Sequence, residues 1–262
     1  MIETDLPVKQ NIGFKPGTGI LWLLITLALS LPLVSTAQNS RFKPFNPDDS
    51  VYLVTGKKLI IPTVLMAYGF GQFMVEPIRS LNLNIRNQIV SKVSQPFHLD
   101  NYSQYAPAVA VYGLNFLGVK GKHNFIDRSV IIATAAVIMG VSVEGMKTIT
   151  HVARPDGSGF DAFPSGHTAT AFTCAEFLYQ EYKDVSIWYG IAGYTVAAGT
   201  GFLRMYNNRH WLTDVVAGAG FGILSTKLAY WVFPKIRKLY SKDIKISFSL
   251  IPPIDFSHGP VR

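Results

Sequence analysis

The chain has 262 residues, 48% of them hydrophobic and only 15% charged, with a formal net charge of +8 at pH 7. Soluble domains carry about a quarter charged residues, so this composition points to a membrane-embedded or tightly packed helical protein. The lone cysteine, Cys174, excludes an intramolecular disulfide framework and a cysteine-based zinc site. The positive balance suits an anionic substrate or an anionic membrane surface, and scattered basic residues without an accompanying motif argue against nucleic acid.

Lys9 and Lys15 precede the apolar run ILWLLITLALSLPLV, and Ser35-Thr36-Ala37 follow it. A basic start, an apolar core and small residues are the pattern of a secretory signal. Residues 1–37 are therefore predicted to be a signal peptide cleaved after Ala37 or, if uncut, an N-terminal anchor helix. Residues 38–58, polar and carrying Pro44 and Pro47, read as an irregular lead-in. Residues 59–74 are apolar, and Pro62, Gly69 and Gly71 predict a bent helix there. Between 76 and 105, apolar positions recur at helical spacing among Arg79, Arg86 and Lys92, which predicts amphipathic helix and loop. Residues 107–118 are apolar but short for a span.

Four clearer segments follow, at 129–146, 168–182, 186–203 and 213–233. Each is apolar nearly all round, so each is buried in a bundle or in lipid. Cys174 falls in the second and reads as core filler. Gly218, Gly220 and Gly222 in GAGFG follow no strand, so they indicate close helix packing rather than a dinucleotide loop. In the polar tail, 241–262, the alternation of KISFSLI predicts a short strand. The expected fold is an all-α bundle of about six helices, largely membrane-embedded, with its active site at one end. It would occupy residues 59–240, with a catalytic core at 145–220.

Alternation of the four helices gathers the polar residues. Lys147 closes the first and Arg154-Pro155 follow; Pro164-Ser165-Gly166-His167 open the second; Arg204 closes the third; His210 and Asp214 open the fourth. Each has an ordinary structural reading: snorkelling or helix-dipole complementation for the cations, helix initiation for Pro164 and Ser165, a side-chain pair for His210 and Asp214. Together they set three cations, two histidines and a carboxylate at one end of an apolar bundle, where unpaired charge is costly and a bound anion is the natural counter-charge. A phosphoryl group fits. Cations stabilise its equatorial oxygens, and the backbone N–H groups at Gly166 form a helix N-terminus suited to anions. A histidine beside a carboxylate is a competent nucleophile, and a second histidine can protonate the leaving oxygen. Two histidines and an aspartate could also ligate a metal, but the neighbouring cations oppose a divalent ion and already do its work. No metal or cofactor is expected.

These residues resemble the type 2 phosphatidic acid phosphatase and vanadium haloperoxidase superfamily. Its pattern is Lys-x6-Arg-Pro, then Pro-Ser-Gly-His, then Ser-Arg-x5-His-x3-Asp. The corresponding stretches are KTITHVARP from Lys147 to Pro155, PSGH from Pro164 to His167, and LRMYNNRHWLTD from Leu203 to Asp214, with Leu203 standing where the family usually has serine. The resemblance implies that His210 attacks phosphorus to form a phosphohistidine, that Asp214 orients it, and that His167 is the general acid. It implies that Lys147, Arg154 and Arg204 hold the phosphoryl oxygens, with Ser165 and Gly166 donating hydrogen bonds. His151 and Arg209 fall at positions the pattern leaves open and receive no role.

The implied substrates are lipid phosphates and pyrophosphates: phosphatidic acid, phosphatidylglycerophosphate, undecaprenyl pyrophosphate or a lipid A phosphate. A soluble periplasmic acid phosphatase and a vanadium-dependent haloperoxidase are the alternatives that share the motifs. Lys120, Lys122 and Arg128, with Lys235, Arg237, Lys238 and Lys242, fall at the end opposite the site. The positive-inside rule then puts the site on the periplasmic or exterior face of a bacterial-type inner membrane. With residues 1–37 removed, that orientation requires that 59–74 and 107–118 do not both cross.

Overall fold

A computed structural model of the protein describes residues 56–93 and 95–249. The predicted signal or anchor segment, the lead-in up to residue 55, and residues 250–262 lie outside the described residues. Among the described residues there are eight helices and no strand: α1 (Gly56–Phe70), α2 (Glu76–Val90), α3 (Asp100–Ser103), α4 (Ala106–Phe116), α5 (Phe125–Thr150), α6 (Gly166–Tyr182), α7 (Ile187–Tyr206) and α8 (Leu212–Ser249). The all-α expectation holds. The helix count exceeds the expected one because the mixed region 76–105 resolves into α2 and the single turn α3.

Two boundaries correct the sequence reading. Residues 56–58 of the lead-in already belong to α1. Lys245–Ser249, where alternation predicts strand, continue α8 as helix. A helix already running gains a backbone bond with each added residue, whereas a lone strand there would have no described strand to pair with.

α6 is the central helix, packed against α4, α5, α7 and α8. Its burial is possible because facing positions are small. A Cβ on Gly218 would fall 2.6 Å from the Ser165 carbonyl, and one on Gly220 would fall 2.8 Å from the Pro62 carbonyl of α1. A Cβ on Gly222 would collide with the Ala169 carbonyl. The GAGFG glycines therefore serve close packing of α8 on α6 and α1. Cys174 is buried within α6, as expected of a core residue. The same helix also buries Glu176 and Glu181, paired with Lys227 and His123 at 2.7 Å each.

The chain turns by 94° between α1 with its following 3-10 turn (Gly71–Phe73) and α2. The bend lies after the glycines, while Pro62 is accommodated inside α1. Arg79 of α2 takes up carbonyls at the turn, donating to Gln72 O at 2.7 Å and Phe73 O at 2.9 Å. Such capping satisfies acceptors that the ended helix leaves over.

α5 and the Leu212–Leu239 part of α8 are long and apolar enough to cross a membrane, with a third span if α1 and α2 count as one broken crossing. The outer faces of α5 and α7 expose Val137, Val141, Ile149, Trp188 and Ile191. An apolar surface of that kind fits lipid better than water.

Candidate active site

α5, α6, α7 and α8 bring every motif to one end. α5 begins with an Asn124 side-chain cap on the Asp127 N–H and ends at His151, whose φ of 46° turns the chain out of the helix. The loop that follows is pinned back on itself and onto α8: Ala162 N–H donates to Val152 O at 3.0 Å, and the Trp211 indole donates to Ala153 O at 2.9 Å. Ser165 N–H donates to the Asp214 carbonyl at 3.0 Å, joining the start of α6 to the first turn of α8. The Phe163 ring, next to the motif, is buried against Phe70 and Phe73.

The Lys147 ammonium lies 3.6 Å from where a Cβ on Gly166 would sit, so it stands directly over the N-terminus of α6. Ser165 is fully buried, and its hydroxyl accepts from Thr168 Oγ1 at 2.9 Å. Arg204 and Lys147 are close enough to disfavour a charged His167, as a protonated His210 would be, and Arg204 and Arg154 act in the same way on His210. The eight predicted site residues therefore share one neighbourhood.

The cations are not unpaired, however, and here the sequence argument for a bound counter-anion needs correcting. Lys147 pairs with Glu144 at 2.8 Å, one helical turn back. Arg154 holds Asp161 through two 2.7 Å hydrogen bonds. Arg204 pairs with the fully buried Asp100 at 2.5 Å. The Arg154 guanidinium keeps the Asp161 carboxyl below the ordinary carboxylate value, against its partial burial. Each cation thus has a resident carboxylate, and a phosphoryl group would bind among pre-formed ion pairs. Two buried polar atoms of the motif residues, Arg204 Nε and Asp214 Oδ1, have no hydrogen-bond partner among the described residues. Buried polar atoms are nearly always satisfied, so both are open to a further partner.

The histidines are differently set. His210 is buried, and its Nδ1 is 2.8 Å from the Ala162 carbonyl. A carbonyl only accepts, so Nδ1 carries the hydrogen and Nε2 keeps the lone pair. Asp214 Oδ2 is 3.6 Å from Nδ1 and accepts the Trp211 N–H at 2.8 Å. Asp214 therefore acts on the imidazole through its charge, while the backbone sets the tautomer. Burial pushes His210 below the usual histidine value, opposed by the pull of Asp214. His167 is the second residue of α6, outside the two long apolar spans, and donates from Nε2 to Asn101 Oδ1 at 3.0 Å. Burial, with help from Arg204, brings its pKa down to about 4.

Asp100, Asn101, Glu144 and Asp161 all touch motif side chains, and motif spacing points to none of them. Glu144 stands three residues before Lys147, a visible helix-pair signal. The others meet their partners only through the fold. Of the residues left without a role, Arg209 pairs with Asp156 at 3.0 Å beside the loop. Among the described residues, no three His, Cys, Asp or Glu side chains are grouped to hold a metal ion.

A family model described as the PAP2 superfamily matches residues 95–238, more than half of the chain. The chain belongs to the PAP2 superfamily. The matched region takes in all three motifs and starts just before α3, leaving α1 and α2 outside it. This PAP2 chain is similar to a lipid A 1-phosphatase of Porphyromonas gingivalis, with 36% identity over 226 residues, 80% of this chain and 49% of that protein. It thus spans about half the length of that relative. Among solved structures it is similar to LpxE of Aquifex aeolicus (TM-score 0.44, 25% identity, 57% of this chain and 94% of that one). It is also similar to a PAP2 type phosphatidylglycerolphosphate phosphatase of Bacillus subtilis (TM-score 0.44, 19% identity, 70% and 97%).

Proposed function

We propose that the protein is an integral membrane phosphatase that hydrolyses a lipid phosphomonoester or pyrophosphate through a phosphohistidine, without a metal. The observation that carries this reading is the convergence of Lys147, Arg154, Arg204 and two histidines at one end of a bundle that exposes apolar side chains. The tautomer held by Ala162 leaves His210 Nε2 as the nucleophile. Nε2 bonds to phosphorus as the bond from phosphorus to the leaving oxygen breaks, and His167, protonated when the phosphoryl anion binds, gives that oxygen its proton. Water then attacks the phosphohistidine, losing a proton to His167, and phosphate leaves with His210 restored. The three cations, the orphan Arg204 Nε among their donors, and the Ser165–Gly166 helix start stabilise the equatorial oxygens. Asp214 supports the positive charge that develops on the ring.

The likeness to a lipid A 1-phosphatase favours a glycolipid phosphate of the lipid A type as substrate. Topology favours a site on the periplasmic or exterior face. The Arg237–Asp127 pair at 3.3 Å puts the far part of α8 beside the start of α5, where Lys120 and Lys122 also lie. That basic end would face the cytoplasm. α4, with 11 residues, extends about 16 Å and cannot cross a ~30 Å hydrocarbon core. On this reading α4 is the segment that does not span, and α1 crosses together with α2 as one broken span.

The purified protein in detergent with EDTA should release phosphate from lipid A and from phosphatidic acid, and His210→Ala should release none. Undiminished release by that variant would overturn the mechanism.

A further inference from the structure

We propose that Asn101 is a positioning residue for the general acid, accepting from His167 Nε2 so that the ring is held in one orientation and Nδ1 is the nitrogen that carries the proton for the leaving oxygen. The proposal rests on the phosphatase reading given above and adds a residue that lies in none of the three motifs.

The geometry begins one residue earlier. Asp100 is fully buried, paired with Arg204 at 2.5 Å, and accepts from Asn207 Nδ2 at 3.2 Å. Asn207 also bonds both ways with the backbone of Phe97, accepting its N–H at 2.8 Å and donating to its carbonyl at 2.9 Å. Ser103 Oγ adds a bond to Thr200 Oγ1 at 2.8 Å. The single turn α3 is therefore bolted to the C-terminal end of α7. Asn101, the next residue, presents its amide oxygen to His167 Nε2 at 3.0 Å. An amide oxygen has no hydrogen to give, so this contact selects the ring form protonated on Nε2. Asn101 itself is exposed.

The charged and titratable groups near His167 come from several elements: Lys147 from α5, Arg204 from α7, His210 from the loop before α8, and Asp100 from α3. Lys147, Arg204 and a protonated His210 disfavour the imidazolium, and only Asp100 favours it. A neutral amide at position 101 orients the ring without adding charge. A carboxylate there would keep an acceptor oxygen and also favour the protonated ring.

The test compares Asn101→Ala and Asn101→Asp with wild type, using phosphate release from lipid A micelles across pH and the imidazole 15N–1H NMR spectrum without substrate. In Asn101→Ala, kcat should fall about ten- to hundredfold with KM little changed, and the spectrum should lose its single Nε2–H form for His167. Asn101→Asp should recover much of that kcat and move the alkaline limb of the kcat profile up by about one pH unit. Wild-type kcat in Asn101→Ala, or an unmoved limb in Asn101→Asp, would overturn the positioning role. A wild-type protein that hydrolyses no phosphate would instead overturn the functional reading, and the NMR spectrum would still decide whether Asn101 holds the ring.

Discussion

His210 is tied to the Ala162 carbonyl, not to Asp214: its Nδ1 is 2.8 Å from the one and 3.6 Å from the other. The carbonyl belongs to the loop that leads into α6, so the proposed nucleophile and the proposed phosphate cradle are held by the same stretch of chain. The carboxylate contributes field rather than a direct bond.

Asp214→Asn should therefore be milder than loss of the nucleophile. The amide still accepts the Trp211 N–H, and Ala162 still holds the tautomer. A fall in kcat of about 10²-fold is expected, against abolition in His210→Ala. Equal losses in the two variants would show that Asp214, not Ala162, sets the ring.

Asp100 pairs with Arg204, so in the proposed site it would compete with a bound phosphoryl group for that guanidinium. In Asp100→Asn the guanidinium keeps a polar neighbour but loses a negative one, so vanadate and inorganic phosphate should inhibit about tenfold more tightly, equivalent to about 1.4 kcal/mol. Inhibition constants measured at one pH and salt concentration read this directly. Weaker inhibition would mean that Asp100 orients Arg204 more than it opposes the anion.

His167, with its pKa near 4, is neutral at pH 6.5. An anion among Lys147, Arg154 and Arg204 favours the charged ring, so the pKa rises on binding and the protein takes up a proton. Calorimetric titration with vanadate in buffers of different ionisation enthalpy should show more proton uptake in wild type than in His167→Gln. Equal uptake would remove His167 from the linkage.

Two glycine variants separate packing from composition. A Cβ on Gly222 meets α6 backbone, whereas one on Gly140 of α5 meets nothing within 4 Å. Gly222→Ala should lose about 1–3 kcal/mol of stability, and Gly140→Ala should be neutral or gain up to about 1 kcal/mol. Thermal unfolding in detergent measures both.

Much of this was legible in the chain itself. The helical character, the one-ended gathering of Lys147, Arg154, His167, Arg204 and His210, and the packing role of GAGFG all follow from spacings within or between adjacent helices. Such spacings are fixed by the helical repeat and by the need to bury apolar faces. What only the tertiary structure decided are the partners: Asp100 on Arg204, Asn101 on His167, Ala162 on His210. The first two pairs are separated by 104 and 66 residues, and the third joins a side chain to a backbone carbonyl, which no residue type announces. The KISFS segment erred for the opposite reason, because local alternation was outweighed by a helix already in progress. Residue type and spacing specify which groups can do chemistry. Which group each one faces depends on how distant segments pack, and that decided that Lys147, Arg154 and Arg204 are already paired and that the His210 ring is oriented by the backbone.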